Sequence, residues 1–148
     1  GLLHDIGKIL LPTRILNKPG RLSDSEYERV REHATWGHSI LARNKEFNDI
    51  SIIILHHHEK WNGTGYPSHL SETEIPIESQ ILAVADSWDA MISQRSYRPV
   101  MEFEEALHEI TDCTGTQFSP QVSLCFEENY QEIVEISSSY KLVKAREL

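Results

Sequence analysis

Ile77-Glu78-Ser79-Gln80-Ile81-Leu82-Ala83-Val84-Ala85-Asp86-Ser87-Trp88-Asp89-Ala90-Met91-Ile92-Ser93 is the stretch that decides the fold class. Ile81, Leu82, Ala85, Trp88 and Ile92 recur at helical spacing and make one apolar stripe. Strict apolar–polar alternation over strand length is not found along the chain, so the reading is all-α. Asp86 lies in mid-helix beside Ala83, Val84 and Ala85 and one turn from Leu82, and is expected to be partly buried. A buried carboxylate needs a partner, which a metal ion, a backbone group or an arginine can supply. Asp89, three residues on, lies on roughly the same face.

Upstream of this helix, residues 62–76 read as a loop, preceded by a helix over about Asp49 to His58 that ends in His56-His57-His58. Ser23-Asp24-Ser25-Glu26 has the pattern of a capping box, and the helix it opens carries Tyr27, Val30 and His33 at apolar spacing. Trp36, Ile40 and Leu41 continue that face beyond an expected break near Gly37. Leu2 to Lys8 reads as the end of a helix, with Gly7 as its breaker. Downstream, helices are expected over Phe103 to Asp112 and Pro120 to Tyr130, the latter with Ser119 as N-cap. The Ser-rich, charged segment after Glu135 reads as weakly ordered.

The 148 residues suit one domain or part of one. Gly1-Leu2-Leu3 runs into His4 with neither an initiator Met nor a cap, which reads as a cut through a helix, with at least one helix expected upstream. The longest apolar run, Ile52 to Leu55, is too short to span a membrane, and no membrane contact is expected from this segment. Cys113 and Cys125 lack metal spacing and read as core thiols of a reducing compartment, the cytoplasm. A net charge of −9 argues against bulk nucleic acid as a partner, but not against a small anion held by metal ions.

The chemistry collects at a few points. His4-Asp5 is a potential ligand pair, although an isolated His-Asp is most often a surface dipeptide. Lys8 lies about one turn after Asp5, where an ammonium can neutralise a phosphate oxygen. His33 on its own is more often a packed or capping residue. Of the adjacent His56, His57 and His58, at most two can easily face one side. Gly63, Gly65 and Pro67 follow at once and shape a rigid loop around Tyr66. Arg95 and Arg98 are a guanidinium pair suited to a phosphodiester, or else ordinary surface arginines. Nitrogen and oxygen donors without thiolate suit iron, manganese or another borderline cation. A paired-metal site of that kind activates water and clamps a phosphoryl group.

In order, His4-Asp5-Ile6-Gly7-Lys8, Leu16 to Leu22, His57-His58-Glu59 through Gly63-Thr64-Gly65-Tyr66-Pro67, Ala83-Val84-Ala85-Asp86, Arg95-Ser96-Tyr97-Arg98 and Gly115 to Pro120 resemble the HD-GYP family of metal-dependent phosphohydrolases. Asn62 stands where that family frequently has aspartate. The resemblance runs from Gly1 to about Phe126 and implies a helical HD-domain bundle over 1–135, with 136–148 as a tail. It implies a bacterial signalling phosphodiesterase that converts cyclic di-GMP to pGpG or GMP with two or three divalent ions, iron or manganese. His4, Asp5, His33, His57, His58 and Asp86 would be the ligands, with Asp5 bridging. Lys8, Arg95, Arg98 and Tyr66 would face the substrate, and His56 would be structural. The resemblance further implies an upstream helix bringing a His or Glu ligand, and a sensor or receiver domain before it. Two rival readings are a phosphodiesterase for another cyclic dinucleotide, such as cyclic GMP-AMP, and a non-catalytic module that binds a nucleotide or a diguanylate cyclase.

Overall fold

The computed structural model describes residues 1–93 and 100–144, with side chains to residue 140. Among these the secondary structure is helical: α1 (Thr13–Leu16), α2 (Asp24–Arg31), α3 (His33–Leu41), α4 (Asn48–Leu55), α5 (Ile77–Ile92), α6 (Phe103–Asp112), α7 (Pro120–Glu128) and α8 (Tyr130–Lys144), with three short 3-10 turns. The all-α expectation holds. One face of the molecule is built on α3, which packs on the 3-10 helix Ile6–Leu10 and on α4. The other is built on α5, which packs on α6 and α7. Ser79 joins the two, its hydroxyl donating to the Ile53 carbonyl at 2.9 Å.

The core lies in the second half. Val84, Trp88, Met91 and Ile92 of α5 meet Ala106 and Ile110 of α6, Phe118, and Val122 of α7. Ile81, Leu82 and Ala85, expected on this stripe, lie outside that cluster, and Ile81 and Ala85 are exposed. The helix rotates the stripe by about one position, so that Val84 and Met91 face inward instead. Trp88 organises the cluster, with Phe103, Phe126 and Tyr130 around its ring at 5.7, 5.2 and 6.3 Å.

Four local expectations change. Residues after Glu135 form the second half of α8 rather than a weakly ordered tail. Trp88 Nε1 donates to Ser137 Oγ at 3.0 Å, and Ile133 and Val134 pack on the core, so tertiary contacts order a segment whose composition alone is polar. Leu2 to Lys8 is not a helix end but a turn followed by the 3-10 helix. The break in the second helical region comes at Glu32, not Gly37, which lies inside α3 and packs against Ile6 and Gly7. Cys125 is exposed rather than a core thiol, and Cys113 is half-buried.

The start of α2 forms as the sequence predicts. Ser23 Oγ accepts from the Glu26 amide, and Glu26 Oε2 accepts from the Ser23 amide at 2.7 Å. Ser119 does precede α7 with Pro120 in its first turn, but its side chain makes no capping hydrogen bond.

Candidate active site

His56, His57 and His58 stand in the turn after α4 instead of extending it. Adjacent helical residues point about 100° apart. The turn escapes that limit and lets two imidazoles face the same side. His57 and His58 lie 3.9 Å apart between ring centroids, while His56 turns away towards Glu59, with 3.6 Å between Nδ1 and Oε1. Glu59 Oε1 also accepts from the Ser68 amide at 2.6 Å and so fastens the far end of the Gly-Tyr-Pro loop. At its near end the loop is tied by Trp61 and Asn62 amides to the carbonyls of Gln117 and Thr116. Gly65 is demanded by close approach, since a Cβ there would fall 2.3 Å from the Lys60 nitrogen.

His33 opens α3 and is nearly fully buried, not late on its helix as expected from sequence. Its Nε2 lies 3.2 Å from His58 Nε2 and 3.4 Å from Asp5 Oδ1. Asp5 Oδ2 faces His4 Nε2 at 3.3 Å and accepts from Lys8 Nζ at 2.6 Å. His4 Nε2 in turn lies 3.4 Å from Asp86 Oδ1. Four segments, distant in sequence, thus bring His4, Asp5, Lys8, His33, His57, His58 and Asp86 to one place. Tyr66 joins them, its ring 4.9 Å from that of His58. Asp89 is exposed and accepts from the Ser93 hydroxyl, but it lines the same cavity as His4 and Asp86, on the face the sequence predicts. Arg95 and Arg98 lie outside the described residues.

Hydrogen bonding fixes how the imidazoles present themselves. The Nδ1 atoms of His33 and His57 lie 2.6 Å from the carbonyls of Val30 and Ile54. Each Nδ1 must therefore carry the proton, leaving Nε2 as a bare lone pair aimed inward. That outer carbonyl contact is the usual way a ligating histidine is oriented. His57 Nε2 is buried with no hydrogen-bond partner. The candidate donors of His33, His57 and His58 all lie within 4.8 Å of one another. An orphaned lone pair inside a ring of nitrogen and carboxylate donors fits a divalent cation.

The electrostatics of the three buried imidazoles agree with the geometry, whereas His4 carries a proton that a cation would have to displace. Burial pushes His33 down, His57 down to about 4, and His58 down to about 3 with help from the neighbouring imidazoles. All three are neutral at pH 7, the form that offers a lone pair. Hydrogen bonds to Asp5 and then Asp86 raise His4 to about 10. Burial works to raise Asp5, but the bonds from His4 and Lys8 outweigh it and hold the carboxyl well below its usual range. The bond from His4 likewise lowers Asp86. Burial raises the Tyr66 phenol, which stays protonated.

Sequence reading missed three neighbours. Glu59 was visible only as part of a motif, and its role as the staple to Ser68 depends on a contact nine residues away. Tyr27 is half exposed at the rim of a cavity next to His57 and His58, not in the core. Arg31 lays its guanidinium 4.5 Å over the Tyr66 ring. The four-residue spacing of Tyr27 and Arg31 is the one signal that could have paired them.

A family model described as HD domain matches residues 1–122. A cyclic di-GMP phosphodiesterase of Thermotoga maritima is 47% identical over 136 residues, 90% of this chain and 37% of the relative. A 3'3'-cGAMP-specific phosphodiesterase of Vibrio cholerae is 37% identical over 139 residues, 93% of this chain and 27% of the relative. The chain therefore spans well under half the length of these curated relatives. Among solved structures, a cyclic GMP-AMP-specific phosphodiesterase of Vibrio cholerae shares the fold at a TM-score of 0.62 and 22% identity, over 90% of this chain and 36% of its own. A match that begins ahead of His4-Asp5 and continues past the Gly65-Tyr66-Pro67 loop to Val122 places the chain in the HD-domain family, on its HD-GYP branch.

Proposed function

We propose that this domain is a metal-dependent phosphodiesterase that opens cyclic di-GMP to pGpG, with GMP as a further product. The observation that carries the reading is the convergence of His4, Asp5, His33, His57, His58 and Asp86, with the unpartnered His57 Nε2 at its centre. These six residues would hold two or three divalent ions, iron or manganese by donor type. Asp5 turns one oxygen to His33 and the other to His4, the disposition of a carboxylate that bridges. Bound cations supply a more acidic water and withdraw charge from the phosphoryl oxygens. Lys8 places a further positive charge beside Asp5, where it neutralises a phosphate oxygen, and Tyr66 bounds the pocket above His58. Arg95 and Arg98 complete the phosphate contacts in this reading. The relative named as acting on cyclic di-GMP supports the substrate.

A second substrate, cyclic GMP-AMP, is favoured by the relatives named for it, which share this region at 37% identity. In the same proposal the domain works in the cytoplasm as the output of a sensor or receiver segment, with diguanylate cyclases among its contacts. No helix among the described residues is long and apolar enough to cross a membrane. The test is turnover of both cyclic dinucleotides, side by side, by protein loaded with Mn(II) or anaerobically with Fe(II), followed by chromatography. Faster formation of pGpG than of the mixed linear dinucleotide supports the first reading, and the reverse order supports the second. Stoichiometric metal with neither substrate cleaved overturns both.

A further inference from the structure

Beside His57, His58 and Asp86 lies a cavity of about 190 Å³ whose wall includes Tyr27 and Tyr66. Tyr27 is 52% exposed, yet it sits on α2 facing this cavity and not among the buried residues of the fold. Arg31, one turn further along α2, covers the Tyr66 ring and is itself braced by Glu28 at 2.7 Å. Two phenol rings therefore border one cavity, and one of them is clamped from outside by a guanidinium. A large aromatic left half in water at the mouth of a site gains by covering its face. A purine is a planar group of the right kind, because base–aromatic stacking is favourable and needs no particular hydrogen-bond pattern.

We propose that Tyr27 is a substrate-binding residue that stacks on a purine base of the phosphodiester, and that Arg31 is a positioning residue that holds Tyr66 as the opposite wall. The inference rests on the proposed cyclic dinucleotide reaction and adds the subsite that grips the base. Stacking explains why an exposed tyrosine stands one helical turn from an arginine on the one face of α2 that meets the metal-ligand cluster. It also assigns the distinction between a bare phosphodiester and a nucleotide to α2, an element that contributes none of the six candidate ligands.

The test compares Tyr27→Ala, Tyr27→Leu and Tyr27→Phe with the parent on cyclic di-GMP, with metal content and melting temperature measured for each. Loss of one base stack should raise KM about tenfold in the Ala and Leu variants, with kcat lowered less than about threefold. Tyr27→Phe should keep the parent KM, because the ring and not the hydroxyl stacks. Leu fills similar space without a π face, so a Leu variant with the parent KM would overturn stacking, as would an unchanged KM in the Ala variant. Arg31→Gln should raise KM about threefold without changing metal content, as an exposed cation–π contact is worth roughly 0.5–1 kcal/mol. If the parent cleaves cyclic di-GMP and the Tyr27 variants match it, this subsite falls while the proposed reaction stands. If the metal-loaded parent cleaves no cyclic dinucleotide, the reaction itself falls and the subsite with it.

Discussion

Asp5 is the residue on which the site turns. Its two oxygens are shared among His33, His4 and Lys8, so it touches three of the groups the proposed chemistry uses. Asp5→Asn preserves shape and most packing but replaces one oxygen by a donor that repels both a cation and the Lys8 ammonium. Loss of an outer contact to a ligand already costs about 10- to 100-fold. Loss of a bridging oxygen should therefore lower turnover by more than about a hundredfold, with metal content falling and the circular dichroism spectrum unchanged. An Asn variant retaining a tenth of the parent rate at saturating metal would exclude a bridging role. His4-Asp5, His57-His58 and Asp86 were legible in the sequence as residue types able to bind a metal. What the sequence withheld was orientation: the Val30 and Ile54 carbonyls that direct His33 and His57 inward are backbone groups that no side-chain pattern reports.

At the scale of elements, the 3-10 helix Ile6–Leu10 must lie directly on α3 for Asp5 to reach His33. Gly7 makes that approach possible. A Cβ at Gly7 would lie 1.9 Å from the His33 carbonyl oxygen and 2.7 Å from the Gly37 amide nitrogen, both backbone atoms that cannot swing aside. Gly7→Ala should destabilise the domain by ~2–3 kcal/mol, the upper range for overpacking a tight contact. For a domain of this size that is a fall of roughly 4–12 °C in melting temperature. Because the clash falls on His33 itself, metal affinity should drop with it. A variant that melts within a degree of the parent would show that the two elements can separate cheaply. The sequence marks Gly7 only as a permissive residue, which is why it reads as a helix breaker; close approach of two elements is a tertiary fact. The Ser23–Glu26 capping box, by contrast, was readable because all its partners lie within four residues.

At the scale of the molecule, the ligand candidates come from both halves of the fold. His4 and Asp5 precede the 3-10 helix, His33 opens α3, His57 and His58 follow α4, and Asp86 rides on α5, whose opposite face is bound into the core by Val84, Trp88 and Met91. The all-helical class was legible from the period of the apolar residues. The ordering of residues 136–140 was not, because it depends on Trp88 reaching Ser137 across 49 residues. A cation held by all these segments would add a further tie between the α3–α4 half and the α5 half, which also meet where the Ser79 hydroxyl bonds the Ile53 carbonyl and where the Trp61 and Asn62 amides bond Gln117 and Thr116. It would also satisfy the buried His57 Nε2, a group whose lack of a partner costs ~1–3 kcal/mol. Ligand that binds only the folded state at a hundred times its Kd stabilises by about 2.7 kcal/mol. Adding Mn(II) to chelator-treated protein should therefore raise its melting temperature by roughly 5–10 °C. Mg(II) should do less, since it prefers oxygen donors and keeps its waters. In His57→Ala the Mn(II)-induced rise should shrink to a few degrees at most, because the variant loses both the ligand and the orphaned group. An equal rise in parent and variant would place the bound ion elsewhere, and no rise in either would remove the metal from the site altogether.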